Sequence, residues 1–265
     1  MADPLAKRSM RRLFSYRHLI FALVQREYQL RYRQSFVGVL WAVFLPLATL
    51  GAGSLVFKEI AGVRTEGSSY EVATLAALVP WTFLATALSL GVGSVVSQRT
   101  LVTKLAFPRQ VLPLGMVGVS FLDLIVSAMI FVALAYLVGD GLPATVAWVP
   151  LLLSIEITLV VGLVLLGSAA NVFARDFRLA IPPLLQLWLL LTPVLYPLTA
   201  VPSRLRAWYL ANPMTGLVDS FRRVLVAGRA PDGHMLLVAA VGAAVSITVG
   251  AWYFAATEKR FADVI

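Results

Sequence analysis

PLGMVGVSFLDLIVSAMIFVALAYLV, residues 113–138, is an almost uninterrupted apolar run. It contains no Lys or Arg, and Asp123 is its only charged residue. A helix that crosses the hydrocarbon core of a bilayer needs about 20 largely apolar residues, and this run is longer than that. The sequence therefore predicts a membrane-spanning helix here.

Five more apolar runs lie on either side of this one, and none of them contains Lys or Arg. They are residues 36–57, 75–96, 147–172, 179–198 and 235–256. The run 179–198 has prolines at positions 182, 183, 193 and 197, and proline in a helix interior removes a hydrogen bond and kinks or breaks the helix. We therefore predict an all-α membrane protein with six transmembrane helices, the fifth of which is broken.

The composition excludes several other classes. Hydrophobic residues make up 60% of the chain and charged residues 13%, with a mean hydropathy of +0.86, whereas soluble domains carry about 25% charged residues. There is no cysteine, so disulfides and cysteine-based metal or nucleophile sites are excluded. The net charge of +9 would suggest nucleic acid in a soluble protein. Here the basic residues lie between apolar runs, so we interpret them as orientation signals and expect no nucleic-acid partner.

Lys and Arg are distributed unequally between the two sides of the predicted membrane. Fifteen of the 22 lie in the amino-terminal segment, in the segments around residues 99–109 and 175–178, and after residue 256. Cytoplasmic segments of membrane proteins carry an excess of Lys and Arg. We therefore expect a multi-pass protein with both termini in the cytoplasm, in agreement with an even number of spans.

Two segments outside the spans are predicted to be amphipathic helices. In residues 10–34, apolar side chains such as Leu13, Ile20 and Leu23 recur at helical spacing among arginines, which predicts a helix on the inner membrane surface; an ordinary basic orientation signal is the alternative. In residues 202–226, Asn212-Pro213 predicts a capped helix start, and the apolar residues that follow share one face. Two short helices are expected here, dipping into the outer half of the membrane beside the broken span.

Few side chains offer catalytic chemistry. His18 and His234 are the only histidines, and they fall on opposite sides of the predicted membrane. No cluster of His, Asp and Glu has metal-ligand spacing, and no glycine-rich phosphate-binding loop is present. We predict that the chain is not an enzyme, has no catalytic residues and no metal site, and does not itself hydrolyse ATP.

Two acids, Asp123 and Glu156, lie inside predicted spans. Intramembrane carboxylates are costly and are functional candidates by default. One interpretation is a proton relay. The other, favoured by the lack of any Lys or Arg within a span, is an acid that is protonated or hydrogen-bonded to a hydroxyl group, such as that of Ser120, Ser127 or Thr158.

Small and aromatic residues add two further patterns. Gly242, Ser246 and Gly250 recur every four residues, which predicts a face where two helix backbones approach closely. Aromatic residues also cluster where a channel wall could lie. Their rings either stack on sugar rings or pack in the core, and the sequence leaves both interpretations open. They are Tyr32, Phe36 and Trp41 near the first span and Trp188 and Tyr196 in the fifth.

Four motifs, in this order, resemble those of type-2 ABC transporter permeases that export polysaccharides. QREYQLRYRQS and GVLW, residues 25–35 and 38–41, together with Pro46, are similar to the family's entry into the first span. LVTKLAFPRQVLP, residues 101–113, and NVFARDFR, residues 171–178, are similar to its cytoplasmic loops, and NPM, residues 212–214, to the start of a gate helix. The resemblance covers nearly the whole chain.

The resemblance implies a homodimer in the bacterial cytoplasmic (inner) membrane. Each copy would dock a separate ATP-binding subunit, two in the complex, which would bind ATP and Mg²⁺; this chain would hold no cofactor. The substrate would be a lipid-linked glycan with an anionic diphosphate, with the O-antigen type favoured. Membrane lipid would be the remaining partner.

The resemblance also implies roles for particular residues. Residues 99–109 would be the coupling loop to the ATP-binding subunit, and the helices in 202–226 an outer gate. The coupling residues would be Arg99, Leu101, Lys104, Leu105, Phe107, Pro108 and Arg109. The inner mouth would hold phosphate or headgroups through Arg26, Arg31 and Arg33. The channel would be lined by the five aromatic residues above, and the gate would contain Asn212, Pro213, Phe221 and Arg222.

Three alternatives remain at this point. A proton-coupled secondary transporter would use Asp123 and Glu156, but residues 1–133 and 134–265 show no inverted repeat. A lipid-modifying membrane enzyme is disfavoured by the missing catalytic groups. An ABC exporter of a non-glycan cargo would share the same motifs.

Overall fold

The computed structural model describes residues 16–33, 40–60, 62, 69–105, 107–138 and 141–264. Within these ranges the secondary structure is helical, with no strand. Residues 10–15 of the expected amphipathic helix and Phe36 of the aromatic set lie outside the described residues, as do the side chains of Tyr32, Arg33 and Trp41.

The α-helices of this part of the chain are numbered in order. They are α1 Arg17–Arg33, α2 Leu40–Gly53, α3 Tyr70–Gly91, α4 Ser94–Ser97, α5 Arg99–Lys104, α6 Val111–Val138, α7 Val149–Phe173, α8 Asp176–Leu190, α9 Ser203–Ala211, α10 Pro213–Leu225, α11 Gly233–Thr257 and α12 Phe261–Val264. A π-helical segment, Ser54–Ile60, continues α2, and short 3-10 turns precede α7 and α9 and follow α11.

Four of the described helical segments are long and apolar enough to cross a membrane. They are Tyr70–Gly91, Val111–Val138, Ala144–Phe173 and Gly233–Arg260, at the positions of the second, third, fourth and sixth predicted spans. At the first and fifth positions lie α2 and α8, which have 14 and 15 residues. The all-helical membrane fold is therefore confirmed, and the count of six spans stays a prediction.

The helix at the fifth position ends earlier than its apolar run. Pro182 and Pro183 lie inside α8 and do not end it. The chain leaves the helix after Leu190 and turns through residues 191–197, which include Pro193 and Pro197. The helix break predicted from the four prolines is therefore found only at the second pair, Pro193 and Pro197.

The core is built around α3. Ser69 begins this helix by accepting a hydrogen bond from the backbone N–H of Val72. Leu75, Phe83 and Leu84 are almost completely buried, and α3 packs against α6, α7 and α10. Burial of this apolar surface between helices, with the remaining apolar faces left for lipid, is the arrangement expected of a membrane bundle.

The closest helix pair in this bundle is α7 with α11. Ser246 donates a hydrogen bond from its hydroxyl to the carbonyl of Leu159 at 2.9 Å. A side-chain carbon placed on Gly250 would lie 2.1 Å from the carbonyl oxygen of Gly162, so the two backbones touch. The predicted small-residue face, with Ser246 and Gly250, is confirmed.

The functional segments lie at opposite ends of α11. At one end, Gly216 of α10 lies against the backbone of Met235; we call this the α10 end. At the other end, α5 contacts α12, which follows α11; we call this the α5 end. A helix of 25 residues is about 37 Å long at 1.5 Å per residue, so the two ends are a membrane thickness apart.

Candidate functional site

The predicted coupling loop contains the short helix α5 and an irregular segment that leads into α6. Val102 is buried in a cluster with Val111 and Phe261, so one side of α5 faces its own bundle. Leu101 and Phe107 are half-buried against the same cluster, and Pro108 is half-buried as well. The predicted partner-contacting residues that remain exposed are Arg99, Lys104 and Leu105.

Arg109 fastens this loop to the end of α11. Its guanidinium donates to the backbone carbonyl of Glu258, and its backbone N–H donates to the Glu258 carboxylate at 2.7 Å. These bonds engage Arg109 within this chain. Glu258 was not predicted from the sequence, although an acid directly before the basic pair Lys259-Arg260, just after the last span, was a signal that could have pointed to it.

The arginines expected at the inner mouth lie on α1. Leu23 of α1 lies against Gly115 of α6, and eight residues further along each helix Arg31 donates to the carboxylate of Asp123 at 2.8 Å. Helix α1 therefore follows α6 over about two turns. Arg26 is exposed, and the side chain of Arg33 lies outside the described residues.

The ion pair corrects the expectation for Asp123. The expectation named no basic partner for this carboxylate, and Arg31 of α1 is one. The hydroxyls of Ser120 and Thr158 donate to carbonyls of their own helices, those of Met116 and Ser154. Burial raises the pKa of the nearby Tyr28 hydroxyl, and the Asp123 carboxylate raises it further.

We expect the Arg31–Asp123 pair to contribute to the docking of α1 on α6. Arg31→Gln and Asp123→Asn should each lower stability by about 1–2 kcal/mol, because each removes the charge-assisted hydrogen bond between these two side chains. The double variant should cost about 1 kcal/mol less than the sum of the single variants. Thermal unfolding of the purified protein in detergent measures these differences.

Arg26→Gln is the matched control, because Arg26 is an exposed arginine on the same helix. Its melting temperature should stay close to that of the unchanged chain. Strict additivity of the two single variants would contradict the pairing.

Glu156 has a different environment. It is completely buried, and neither carboxyl oxygen has a hydrogen-bond partner among the described residues. No group of three or more His, Asp or Glu side chains in this part of the chain is placed to hold a metal ion. The hydroxyl of Thr158 donates to the carbonyl of Ser154, so the hydroxyl hydrogen bond expected for Glu156 is not found among the described residues, and a protonated acid stays the prediction.

Asn212 organises the start of α10. Its side-chain oxygen accepts from the backbone N–H of Met214 at 3.1 Å and from the indole N–H of Trp188 at 3.2 Å. Its amide nitrogen donates to the hydroxyl of Thr192 at 3.0 Å. The predicted cap of α10 by Asn212 is confirmed, and the same side chain ties α10 to α8 and to the turn that follows it.

Two of the predicted channel aromatics are placed beside this cap. The ring of Trp188 packs edge-on against Trp81, with 5.9 Å between centroids. The hydroxyl of Tyr196 donates to the carbonyl of Leu190 at 2.5 Å and lies 2.9 Å from the hydroxyl of Tyr209. Both rings are only half-buried.

Arg222 is a predicted gate residue whose side chain bonds, among the described residues, only to backbone carbonyls. Its guanidinium donates to four backbone carbonyls, one at the start of α3 and three in the turn after α8. They are those of Ala73 at 3.1 Å, Pro193 at 3.2 Å, Val194 at 2.9 Å and Tyr196 at 3.4 Å. Phe221 is buried with Leu152 and Val224, and Pro213 lies against Gly242 of α11. The four predicted gate residues thus join α10 to α3, α7, α8 and α11.

Comparisons with known proteins agree with this architecture. Residues 18–226 match the family described as ABC-2 type transporter. The chain is 31% identical over 260 residues to the O-antigen export system permease protein RfbA of Myxococcus xanthus, which covers 97% of this chain and 99% of that protein. It is 24% identical over 251 residues to the permease of the same name from Klebsiella pneumoniae, covering 93% and 95%. The family match includes the helices from α1 to α10, and the match to the Myxococcus xanthus protein extends across α11.

Proposed function

Because this chain belongs to the ABC-2 type transporter family, we propose that it is the membrane-spanning subunit of an ABC exporter for a lipid-linked polysaccharide of the O-antigen type. The observation that carries this proposal is the similarity to RfbA along 97% of the chain. Subunits of this family are transmembrane components and not ATPases, so the chain works with an ABC ATP-binding partner.

The proposed complex contains two copies of this chain and two ATP-binding subunits in the bacterial inner membrane, and the ATP-binding subunits hold ATP and Mg²⁺. In the proposed orientation, both termini and the α5 end face the cytoplasm. The distribution of Lys and Arg supports this orientation. The α10 end then lies at the outer face.

The proposed coupling path starts at α5. Arg99, Lys104 and Leu105 are exposed there and form the docking surface for the ATP-binding subunit. Motion of α5 reaches the bundle through buried Val102 and through the bonds of Arg109 to Glu258. Because α11 is in backbone contact with α7, a displacement of its α5 end is transmitted along both helices.

The proposed pathway runs from the inner mouth to the α10 end. Arg26 and Arg33 attract the anionic diphosphate of the cargo, and Arg31 holds α1 in place through Asp123. The glycan passes along aromatic walls that include Trp188 and Tyr196, whose rings stack on the apolar faces of sugars. Helices α9 and α10 open and close the outer exit.

Deletion of the gene tests the cargo directly. Cells that lack this chain should accumulate the lipid-linked glycan on the inner side and lose it from the surface, and the unchanged chain should restore it. Surface glycan that persists without the chain would overturn the proposed function.

Reversing one charge tests the docking surface. Lys104→Glu should lower recovery of the ATP-binding subunit with the tagged permease by about fivefold or more, the factor that corresponds to one lost contact of about 1 kcal/mol. Surface glycan should fall in parallel. Pull-down from detergent-solubilised membranes measures the association.

Arg204→Glu is the matched control, since Arg204 is an exposed residue of α9 at the opposite end. It should leave recovery of the ATP-binding subunit unchanged. Equal recovery with Lys104→Glu and with the unchanged chain would remove Lys104 from the docking surface.

A further inference from the structure

A cavity lined by arginines lies at the α10 end. It has a volume of about 350 Å³, and α9, α10 and the segments that flank them supply most of its wall. Five charged side chains line it: Arg206, Arg222, Arg223 and Arg229, with Asp219 as the single acid. The cavity therefore has an excess of positive charge, and it lies at the end of α11 opposite to α5.

Two of these arginines are already engaged by the fold. Arg222 bonds to four backbone carbonyls, and Arg223 donates to the Asp219 carboxylate at 2.7 Å. The side chains of Arg206 and Arg229 form no hydrogen bond or ion pair with any described residue, and both are exposed. Arg206 and Arg229 are therefore the groups available to a ligand.

The positions of these two residues are set by independent elements. Arg206 lies on α9. Arg229 follows α10, where Gly228 adopts a positive φ of 62° that turns the chain, and the backbone N–H of Arg229 bonds to the carbonyl of Arg223 at 3.1 Å. The two guanidinium groups thus reach one cavity from different segments, which is the arrangement of a binding site.

We propose that this cavity binds the phosphoryl group of a lipid at the outer face of the membrane. Guanidinium groups suit phosphate because they form paired, charge-assisted hydrogen bonds with its oxygens. The volume falls at the lower end of the range of small-molecule sites, about 300–1,000 Å³, which suits a headgroup. Apolar Leu198, Leu210 and Met235 in the wall can contact the adjoining hydrocarbon.

This inference rests on the proposed function, because the outer position of the α10 end follows from it. In that function the diphosphate of the cargo leaves the pathway beside α9 and α10. Positive charge there stabilises the diphosphate after it has crossed and disfavours its return. The phosphoryl group of an ordinary membrane phospholipid has the same chemistry and is the second source that the test must separate.

Binding to the purified complex tests the proposal. The double variant Arg206→Gln/Arg229→Gln should weaken binding of a polyprenyl diphosphate by about tenfold, as expected for two lost charge-assisted contacts at an exposed site. Arg204→Gln is the matched control, because Arg204 is an exposed arginine of the same helix that does not line the cavity; its affinity should not change. Both replaced side chains are exposed, so the double variant should fold as the unchanged chain does.

A second probe separates the two sources. The complex is placed in two kinds of nanodisc, one made of phosphatidylglycerol and one made of a neutral lipid doped with diacylglycerol. Comparing binding in the two nanodiscs measures the effect of phospholipid headgroups. Weaker binding of the polyprenyl diphosphate in both nanodiscs supports the site and assigns it to the cargo. Weaker retention of phosphatidylglycerol alone supports a phosphoryl site and assigns it to membrane lipid. Unchanged binding of both probes overturns the proposal.

A different experiment tests the proposed function. Persistent surface glycan in the deletion strain would overturn export by this chain, whatever the cavity binds. Unchanged binding in the double variant, together with glycan export that depends on the chain, would overturn only the cavity site.

Discussion

Gly162→Ala is expected to destabilise the folded chain by about 3 kcal/mol or more, because overpacking against a backbone cannot be relieved by a side-chain movement. A β-carbon at this position would lie 2.3 Å from the carbonyl carbon of Ser246 and 2.4 Å from the backbone nitrogen of Ile247. Helices α7 and α11 would have to separate, and the bond from Ser246 to the Leu159 carbonyl would be lost. The melting temperature in detergent and the yield of monodisperse protein measure the effect.

Gly233→Ala is the matched control for this substitution. Gly233 is the first residue of α11, and a β-carbon there would meet no atom within 4 Å. Alanine is the better helix former by about 1 kcal/mol, so Gly233→Ala should be neutral or slightly stabilising. If both variants melted at the same temperature as the unchanged chain, α7 and α11 would not be in backbone contact at Gly162.

The sequence predicted one side of this contact and not the other. Gly242, Ser246 and Gly250 lie four residues apart, and this periodicity identifies a face of α11. Periodicity gives no information on which helix covers that face. Helix α7 contains two glycines, Gly162 and Gly167, and their spacing of five is not the four-residue repeat that marks a helix-contact face. The role of Gly162 depends on a tertiary contact 84 or more positions away in the chain.

The helix boundaries predicted from hydropathy agree with the structure where contact with lipid or with the apolar core determines the end of the helix. The bounds of α6 and α11 differ from the predicted spans 113–138 and 235–256 by two residues or fewer. The end of α8 was predicted less well, since residues 191–198 are as apolar as a helix interior. The carbonyls of this turn instead bond to Arg222, 26 to 29 positions away, and hydropathy contains no signal of such bonds.

In the candidate site, too, contacts between sequence neighbours were predictable and contacts between distant residues were not. The cap by Asn212 was predictable because capping involves neighbours in sequence. The partner of Asp123 was not, since Arg31 is 92 positions away and lies outside every predicted span. The arginine cavity was missed for a similar reason, because its residues come from separate segments.

Arg222→Ala is expected to be the most damaging change at the α10 end. The substitution removes the donors to four backbone carbonyls at once, and each carbonyl left without a partner in a poorly hydrated site costs about 1–3 kcal/mol. Water from the adjoining cavity can reach some of these carbonyls, so we expect a total loss of about 3 kcal/mol. The turn after α8 should then detach from α3 and α10.

Arg222→Lys should recover only part of this loss. An ammonium group is compact and has three donors, whereas the guanidinium presents donors in a planar fork that here spans carbonyls of two separate segments. Thermal unfolding should therefore rank the unchanged chain above Arg222→Lys, and Arg222→Lys above Arg222→Ala. Limited proteolysis should cut the two variants first within residues 191–202.

Arg223→Ala is the control that separates this bonding from the general effect of removing an arginine from α10. Arg223 forms one partly exposed pair with Asp219 in the same helix, and such pairs contribute about 0.5 kcal/mol. Its melting temperature should stay near that of the unchanged chain. Equal losses for Arg222→Ala and Arg223→Ala would mean that the four carbonyl bonds do not hold the turn. Because the turn carries Tyr196 and adjoins the cap by Asn212, a loss confined to Arg222 would identify this side chain as the link between α10 and α3.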